Sequence, residues 1–101
     1  KWSYMSQEIL SSHRDRIDQL DEKLIRLLAE RFEITKAVGT LKAEQGMPAA
    51  DTEREAQQIE RLHKIAREVG MDPDFSVKVF RLIVDEVIRH HERTAEEASG
   101  D

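Results

Sequence analysis

An uninterrupted helical pattern between Leu10 and Leu41 constrains this chain more than any other feature. Positions spaced alternately by three and four residues run through the stretch without a slip, and all but two are apolar. We name these positions the apolar seam: Leu10, His13, Ile17, Leu20, Leu24, Leu27, Arg31, Ile34, Val38 and Leu41. Such spacing is typical of the buried face of a long packed helix. The pattern predicts a first helix from about Gln7 to Gln45.

This predicted helix is too long for one small domain to cover. At about 1.5 Å per residue it extends for about 57 Å, whereas a compact domain of about 100 residues has a radius of gyration of about 13 Å. No proline interrupts the apolar seam. We therefore expect a second copy of the chain to cover the rest of the seam, which predicts an intertwined homodimer.

Composition favours an all-α, highly charged protein. Apolar residues make up 39% of the chain, charged residues 37% and aromatic residues 5%. The net charge of −5 argues against nucleic acid as a partner. No apolar run approaches the roughly 18 residues of a membrane span, and no signal peptide precedes the domain, so we expect a cytoplasmic location. Without cysteine there is no disulfide framework and no thiolate metal site.

Two further helices follow in the sequence. A second helix is expected over roughly residues 52–69, because Gly70 is a natural stop. Asp72 and Pro73 form a strong start signal for a third helix, with aspartate as the N-cap and proline in the first position. The third helix is expected to fade after His91. The fold class predicted from the sequence is therefore all-α, with three helices per chain.

The two ends of the chain lack an apolar period. Residues 1–6 are expected to form an N-terminal tail, and residues 93–101 a polar C-terminal tail. No internal repeat or change in composition indicates a second domain. We expect residues 1–101 to form a single domain.

Cations on the predicted buried faces indicate a binding site. Arg31 lies on the apolar seam, where a charge is costly unless an anion meets it. Lys42 follows three helical turns later and nearly in line, and Arg14 lies towards the other end of the helix. These cations have no obvious acidic partners beside them, so they suit a ligand that carries negative charge.

Polar groups on the second and third helices have two interpretations. Asp51, Arg54 and Glu55 share one helical face, and Glu55 precedes the apolar Ile59 by four residues, so Glu55 should face inward. His91 continues the apolar stripe of the third helix. In the simpler interpretation, Asp51 only caps its helix, Arg54 and Glu55 are solvated, and His91 is a core histidine. In the second interpretation, all four of these side chains line a pocket.

The combined set of cations and acids suits a small dianion that also carries a hydroxyl. The chain has no His-x₃-His pair, no glycine-rich phosphate loop and no plausible Ser/His/Asp order. The adjacent His90 and His91 make a weak metal site, because neighbouring helical residues diverge by about 100°. We therefore expect neither metal nor cofactor, and chemistry carried out by positioning and charge.

The spacing of these residues resembles the all-helical class of chorismate mutases. The matching runs are Ile17-x-x-Leu20-Asp21-x-x-Leu24-x-x-Leu27-Leu28-x-x-Arg31, Val38-Gly39-x-x-Lys42 and Pro48-x-x-Asp51-x-x-Arg54-Glu55. The likeness covers about residues 14–91. It implies a three-helix protomer, an intertwined homodimer with two equivalent active sites, and conversion of chorismate to prephenate, the branch step towards Phe and Tyr.

The resemblance also implies roles for the cations. Arg31 and Arg54 would hold the two carboxylates of chorismate within one protomer. Arg14 resembles the arginine that reaches the site of the other protomer. Lys42 would bond both a carboxylate and the ether oxygen, where a cation stabilises the charge that develops as the C–O bond breaks.

Further roles follow for the second and third helices. Glu55 would hold the ring hydroxyl, assisted by the backbone at Asp51. Val87 and His91 stand where the family pattern has a serine that contacts a carboxylate and a glutamine that donates to the ether oxygen. Val87 has nothing to donate, whereas His91 retains a ring N–H. Lys42, Glu55 and His91 are the predicted catalytic residues.

Two rival functions stay open at this point. An isochorismate–pyruvate lyase shares the fold and a similar pocket. A catalytically silent helical dimer that binds a metabolite or a partner enzyme is the rival of another class. Silent relatives should lose the pocket cations, and here Arg14, Arg31, Lys42 and Arg54 are all present.

Overall fold

The computed structural model describes residues 3–99 and contains three α-helices. Helix α1 comprises Tyr4–Glu44, α2 comprises Thr52–Val69 and α3 comprises Pro73–Ser99. Residues 3–99 contain no strand, which confirms the predicted all-α class with three helices and a long first one. Among these residues, no helix is both long and apolar enough to cross a bilayer.

Side-chain caps begin α2 and α3 where the sequence predicts. The Asp51 carboxylate accepts a hydrogen bond from the Arg54 backbone N–H at 3.0 Å, which satisfies a donor that the first turn leaves unpaired. The Asp72 carboxylate accepts one from the Asp74 N–H at 2.9 Å, and Pro73 takes the first helical position.

The C-termini of α1 and α2 end in the same backbone motif. Gly46 and Gly70 adopt positive φ angles of 66° and 75°, a region that glycine enters without steric cost. The N–H of each following methionine donates to the carbonyl five residues earlier, Met47 to Lys42 and Met71 to Ala66, both at 2.8 Å. These bonds define Schellman motifs. Gly70 therefore ends its helix as predicted, and Gly46 ends α1 close to the predicted end at Gln45.

Helices extend into both predicted tails, because residues 4–6 belong to α1 and residues 93–99 belong to α3. Helix α1 begins at Tyr4, because the Ser3 hydroxyl accepts a hydrogen bond from the Ser6 N–H at 3.1 Å and caps the helix. Helix α3 continues to Ser99 rather than fading after His91, since its Glu, Arg and Ala residues have high intrinsic helix propensity. Periodicity missed both extensions, because it reports only the apolar face. Residues 1–2 and 100–101 of the predicted tails lie outside the described residues.

The chain divides into two compact units, residues 1–34 and residues 35–101, and α1 contributes to both. In the first unit, α1 exposes its apolar seam: Ile17, Leu20, Leu24 and Leu27 are between 50% and 62% exposed. In the second unit, α2 packs against α3. Within residues 3–97, the hydrophobic residues that are buried are Ala66 and Phe80. Each chain therefore buries little of its apolar surface by itself.

Candidate active site

Lys42 lies near the end of α1, and its ammonium contacts the connection to α2. The half-buried side chain donates from Nζ to the carbonyl oxygen of Ala49 at 3.2 Å. The Lys42 carbonyl is held separately, because it accepts the Met47 N–H of the Schellman motif. An ammonium carries three N–H donors, so two remain after the bond to Ala49.

His91 is the buried member of the histidine pair on α3. It is 5% exposed, which confirms the prediction that His91 faces inward. The ring meets two main-chain oxygens: Nε2 lies 2.8 Å from the Thr35 carbonyl and Nδ1 lies 3.5 Å from the Ala49 carbonyl. The sequence predicted a donor aimed at a substrate, whereas the structure directs both ring nitrogens at backbone acceptors. The contact of His91 with a substrate stays a prediction.

The neighbouring His90 has a different environment. Its Nε2 lies 2.7 Å from a carboxylate oxygen of Glu86, and Arg89 bonds the same carboxylate at 2.7 Å. The hydrogen bond from Arg89 is the largest influence on the pKa of Glu86 and lowers it, aided by the charge of Arg89 and by His90, against the opposing effect of desolvation. The same pairing raises the pKa of Arg89. This group of charges is local to α3.

The predicted site residues at the start of α2 differ in how exposed they are to solvent. Asp51 is exposed and serves as the N-cap. Arg54 presents its backbone N–H to that cap, while its side chain is exposed. Glu55, one residue further, is half-buried. The helical face therefore turns Glu55 inward, as predicted from its offset to Ile59, and leaves the guanidinium of Arg54 available to a ligand.

Glu55 lines a cleft of about 200 Å³ between α2 and α3. The other lining residues are Ile59, Phe80, Arg81, Val84, Asp85 and Ile88. Sequence reasoning did not single out Arg81 and Asp85, although their four-residue spacing beside the apolar stripe could have placed both on the cleft. Val87 is half-buried and is not among the residues that line this cleft.

Arg14 and Arg31 belong to the first unit. Arg14 is exposed on α1, whereas Arg31 is half-buried. Nη1 of Arg31 is shielded from solvent and has no hydrogen-bond partner among residues 3–99. A guanidinium nitrogen in that state lacks the acceptor that buried donors ordinarily find. Arg31 is therefore suited to bind an anion.

The structure brings only some of the predicted site residues together. Lys42 and His91 meet at the Ala49 carbonyl, and Asp51 and Arg54 meet at the cap of α2. The Ala49 carbonyl was missed by sequence reasoning, because a main-chain acceptor leaves no signature in the side-chain pattern. No signal in the sequence could have identified it.

Comparison with known proteins identifies the family. Residues 13–92 match the family described as chorismate mutase type II. A chorismate mutase from Methanocaldococcus jannaschii is 33% identical over 78 residues, which cover 77% of this chain and 79% of that protein. A T-protein from Enterobacter agglomerans is 38% identical over 77 residues, and a bifunctional chorismate mutase/prephenate dehydratase from Escherichia coli is 35% identical over 83 residues.

The match to this chain covers a different fraction of each relative. The matched region covers 76% and 82% of this chain but 21% and 22% of the T-protein and the bifunctional protein. The likeness to those two proteins thus concerns about a fifth of each. The family match itself extends over most of the chain and encloses every predicted site residue from Arg14 to His91. The chain belongs to the chorismate mutase type II family.

Proposed function

We propose that this chain is a homodimeric chorismate mutase whose cations bind chorismate in a compact conformer and stabilise its rearrangement to prephenate. Membership of the family confirms the predicted mutase function. The observation that carries the proposal is the family match over residues 13–92, because it encloses all four predicted substrate-binding cations. The residue roles and the homodimer are proposals.

The rearrangement needs no nucleophile. Within one molecule the ether C–O bond breaks as a new C–C bond forms, so atoms and electrons balance without a co-reactant. Holding the reacting ends in contact removes much of the entropic barrier. A fixed cation at the ether oxygen stabilises the negative charge that grows there. A site built from arginines and one lysine supplies both effects.

Lys42 is proposed to act at the ether oxygen. Its bond to the Ala49 carbonyl uses one of its three N–H donors. The remaining two suit one carboxylate oxygen and the ether oxygen of chorismate. Because the ammonium is held before substrate arrives, less of its side-chain entropy is lost on binding.

Arg31 and Arg54 are proposed to hold the two carboxylates, with Arg14 contributed by the partner protomer. The support for Arg31 is its shielded Nη1, which has no partner among the described residues. The support for Arg54 is an exposed guanidinium whose backbone is fixed by the Asp51 cap. Arginine suits this role because its planar fork binds a carboxylate through two parallel hydrogen bonds. The assignment of Arg14 rests on the family resemblance.

Glu55 is proposed to accept a hydrogen bond from the ring hydroxyl, with the backbone at Asp51 assisting. Its half-buried position on the cleft between α2 and α3 supports this role. Val87 is proposed to add only an apolar contact.

The exposed apolar seam supports the homodimer. Ile34, Val38 and Leu41 continue the seam towards the end of α1 and are 42% to 62% exposed. Burial of apolar area contributes about 25 cal/mol per Å², so a second α1 laid along this face would bury the side chains that one chain leaves in water. A cytoplasmic location and a single domain over residues 1–101 stay predictions.

The test is direct. Purified protein is incubated with chorismate and, in a parallel reaction, with isochorismate. Loss of chorismate is followed by ultraviolet absorbance, and the product of each reaction is identified. We expect prephenate. Formation of pyruvate and salicylate from isochorismate, with no turnover of chorismate, would support the lyase instead. Binding of chorismate without turnover would support the silent dimer.

A further inference from the structure

A short segment of the connection between α1 and α2, residues 47–49, is bonded to Lys42 at both of its ends. The Lys42 carbonyl accepts a hydrogen bond from the Met47 N–H at 2.8 Å. The Lys42 ammonium donates from Nζ to the carbonyl oxygen of Ala49 at 3.2 Å. One residue of α1 therefore closes the segment on both sides, and Pro48 lies at its centre. The position of the ammonium depends on the backbone geometry of this segment.

The imidazole of His91 does not hold the Ala49 carbonyl. Nε2 lies 2.8 Å from the carbonyl oxygen of Thr35, and this bond requires the single proton of the neutral ring on Nε2. Nδ1 then presents a lone pair to the Ala49 oxygen, which is 3.5 Å away. Two acceptors form no hydrogen bond. The direction of the Ala49 carbonyl is therefore set by the backbone of the connection and by Lys42.

Proline restricts the backbone of the segment at two successive residues. Its ring locks φ of residue 48 at about −65°, and a clash with its Cδ confines the preceding Met47 to extended conformations. The N–H of Met47 is already held by the Schellman motif that follows α1. Pro48 is exposed, so it acts through these backbone restrictions rather than by filling a core. The chain between the Met47 N–H and the Ala49 carbonyl therefore has few conformations available.

We propose that Pro48 is a positioning residue, which restricts residues 47–49 so that the Ala49 carbonyl holds the Lys42 ammonium ready for the ether oxygen. This inference rests on the proposed function, since Lys42 is the group that acts on the substrate. With a more flexible residue at position 48, the Ala49 carbonyl would sample more directions and would release the ammonium for part of the time. A group that is held in place beforehand loses less entropy when the substrate binds.

The first test needs no substrate, because the ¹³C resonance of a carbonyl moves when its oxygen loses a hydrogen bond. Lys42→Ala should move the Ala49 carbonyl resonance in the wild-type background. In a Pro48→Gly background the same change should move it by less than about half as much, since the bond is then formed for less of the time. Comparison within each background cancels the direct effect of residue 48 on its neighbour. An equal displacement in both backgrounds would overturn the proposal.

The second test measures activity in two backgrounds. In the wild-type background, Pro48→Ala should lower kcat/KM by about two- to fivefold, the range that corresponds to losing the conformational restriction of proline. Pro48→Gly should lower it by about tenfold, because glycine is freer than alanine. In a Lys42→Ala background each change should cost less than about 1.5-fold, because the group that Pro48 positions is already gone. Equal losses in both backgrounds would mean that Pro48 acts independently of Lys42, and would overturn the proposal.

The second proline of the chain provides the matched control. Pro73 occupies the first position of α3, and Pro73→Ala should change kcat/KM by less than about twofold in both backgrounds. A loss as dependent on Lys42 as that of Pro48→Ala would overturn the proposal. Circular dichroism checks that each variant folds. If Pro48→Gly does not fold, Pro48→Ala replaces it in both tests with the same outcomes. An inactive wild type would refute the proposed function, while the Ala49 resonance would still test the positioning.

Discussion

The imidazole of His91 occupies the space that a side chain at Gly39 would need. A Cβ built on residue 39 would lie 3.0 Å from Nε2 and 3.2 Å from Cγ of the ring, and closer still to Cδ2. The ring cannot easily yield, because it is buried and bonded to the Thr35 carbonyl. A glycine in the middle of a helix costs about 1 kcal/mol relative to alanine. At position 39 that cost is offset by close packing with α3.

Gly39→Ala should therefore destabilise the protein, despite the better helix propensity of alanine. Overpacking of this kind costs about 1 to 3 kcal/mol. Urea denaturation followed by circular dichroism would measure the change in the free energy of unfolding.

A suppressor variant and a second glycine provide the controls. Adding His91→Ala should abolish most of the cost of Gly39→Ala, since the ring that clashes is removed. The same addition should not relieve Gly46→Ala, because Gly46 has a positive φ of 66° and a Cβ placed on it would meet no described atom within 4 Å. If Gly39→Ala proves neutral or stabilising, the close packing is wrong.

Helix starts and stops were predictable because local chemistry decides them. Asp72, Pro73 and Gly70 act through capping and backbone preference within a few residues, and the structure places each as expected. The ends at Tyr4 and Ser99 were not predicted, since apolar periodicity detects only a helix face that becomes buried. Intrinsic propensity and the Ser3 cap extend both helices beyond the periodic region.

The site was predictable in its residue types but not in its contacts. Apolar periodicity correctly predicted that Glu55 and His91 face inward. It could not predict that His91 would meet two carbonyl oxygens, because main-chain acceptors are present at every position. Only the tertiary packing of α3 selects Thr35 of α1 and Ala49 of the connection to α2.

Lys42→Ala should lower kcat/KM by at least about 10²-fold, the range observed when one preorganised transition-state donor is removed. Helical circular dichroism should not change, since the side chain makes one bond to Ala49. Lys36→Ala is the matched control on the same helix, because Lys36 is exposed, and should retain activity. Near-normal turnover of the Lys42 variant would mean that this lysine does not act at the ether oxygen.

The contribution of Glu86 to the stability of the folded protein should decrease at acidic pH. Arg89, bonded to the carboxylate, lowers its pKa below the ordinary value of 4.5. A group with a lowered folded pKa stabilises the protein above its unfolded pKa, and this contribution disappears as pH falls through the folded pKa. The urea midpoint of Glu86→Gln should therefore lie below that of wild type at pH 7, and the two midpoints should converge as pH falls below about 4.5.

Arg89→Met tests the cause of this effect. In the Arg89→Met background, the loss of stability that Glu86→Gln causes at pH 7 should shrink, because the hydrogen bond and the charge of the arginine are both absent. The four proteins of this double-mutant cycle are compared by their urea midpoints. A loss that is unchanged by Arg89→Met would assign the effect to His90 or to the helix itself.

Dimerisation should depend on the apolar seam. Sedimentation equilibrium at micromolar concentration should give twice the chain mass of 11.7 kDa. Leu24→Glu should shift the protein towards monomer, because Leu24 is 55% exposed on the seam of one chain and a buried unpaired carboxylate is costly. Ile25→Glu is the control: Ile25 is 64% exposed but lies off the seam, so its variant should remain dimeric. A fully active wild-type monomer would contradict both the homodimer and the shared sites.

Mixed dimers test whether each site combines residues from two chains. If Arg14 of one protomer completes the site that contains Arg31 of the other, homodimers of Arg14→Ala and of Arg31→Ala should both be nearly inactive. A dimer with one chain of each kind contains one intact site and one site that lacks both arginines. Random pairing of equal amounts makes half of the dimers mixed, so about a quarter of wild-type activity should return.

The experiment requires proof that the chains exchange. The two variants are unfolded together in urea and refolded, and a tag on one variant allows mixed dimers to be isolated and assayed directly. Isolated mixed dimers should have about half of the wild-type activity per dimer, since one of two equivalent sites is intact. A control that mixes Arg31→Ala with Lys42→Ala should recover nothing, because both residues are proposed to act in the same protomer's site. If mixed dimers of the Arg14 and Arg31 variants also stay inactive, both arginines belong to one chain's site and the intertwined arrangement is wrong.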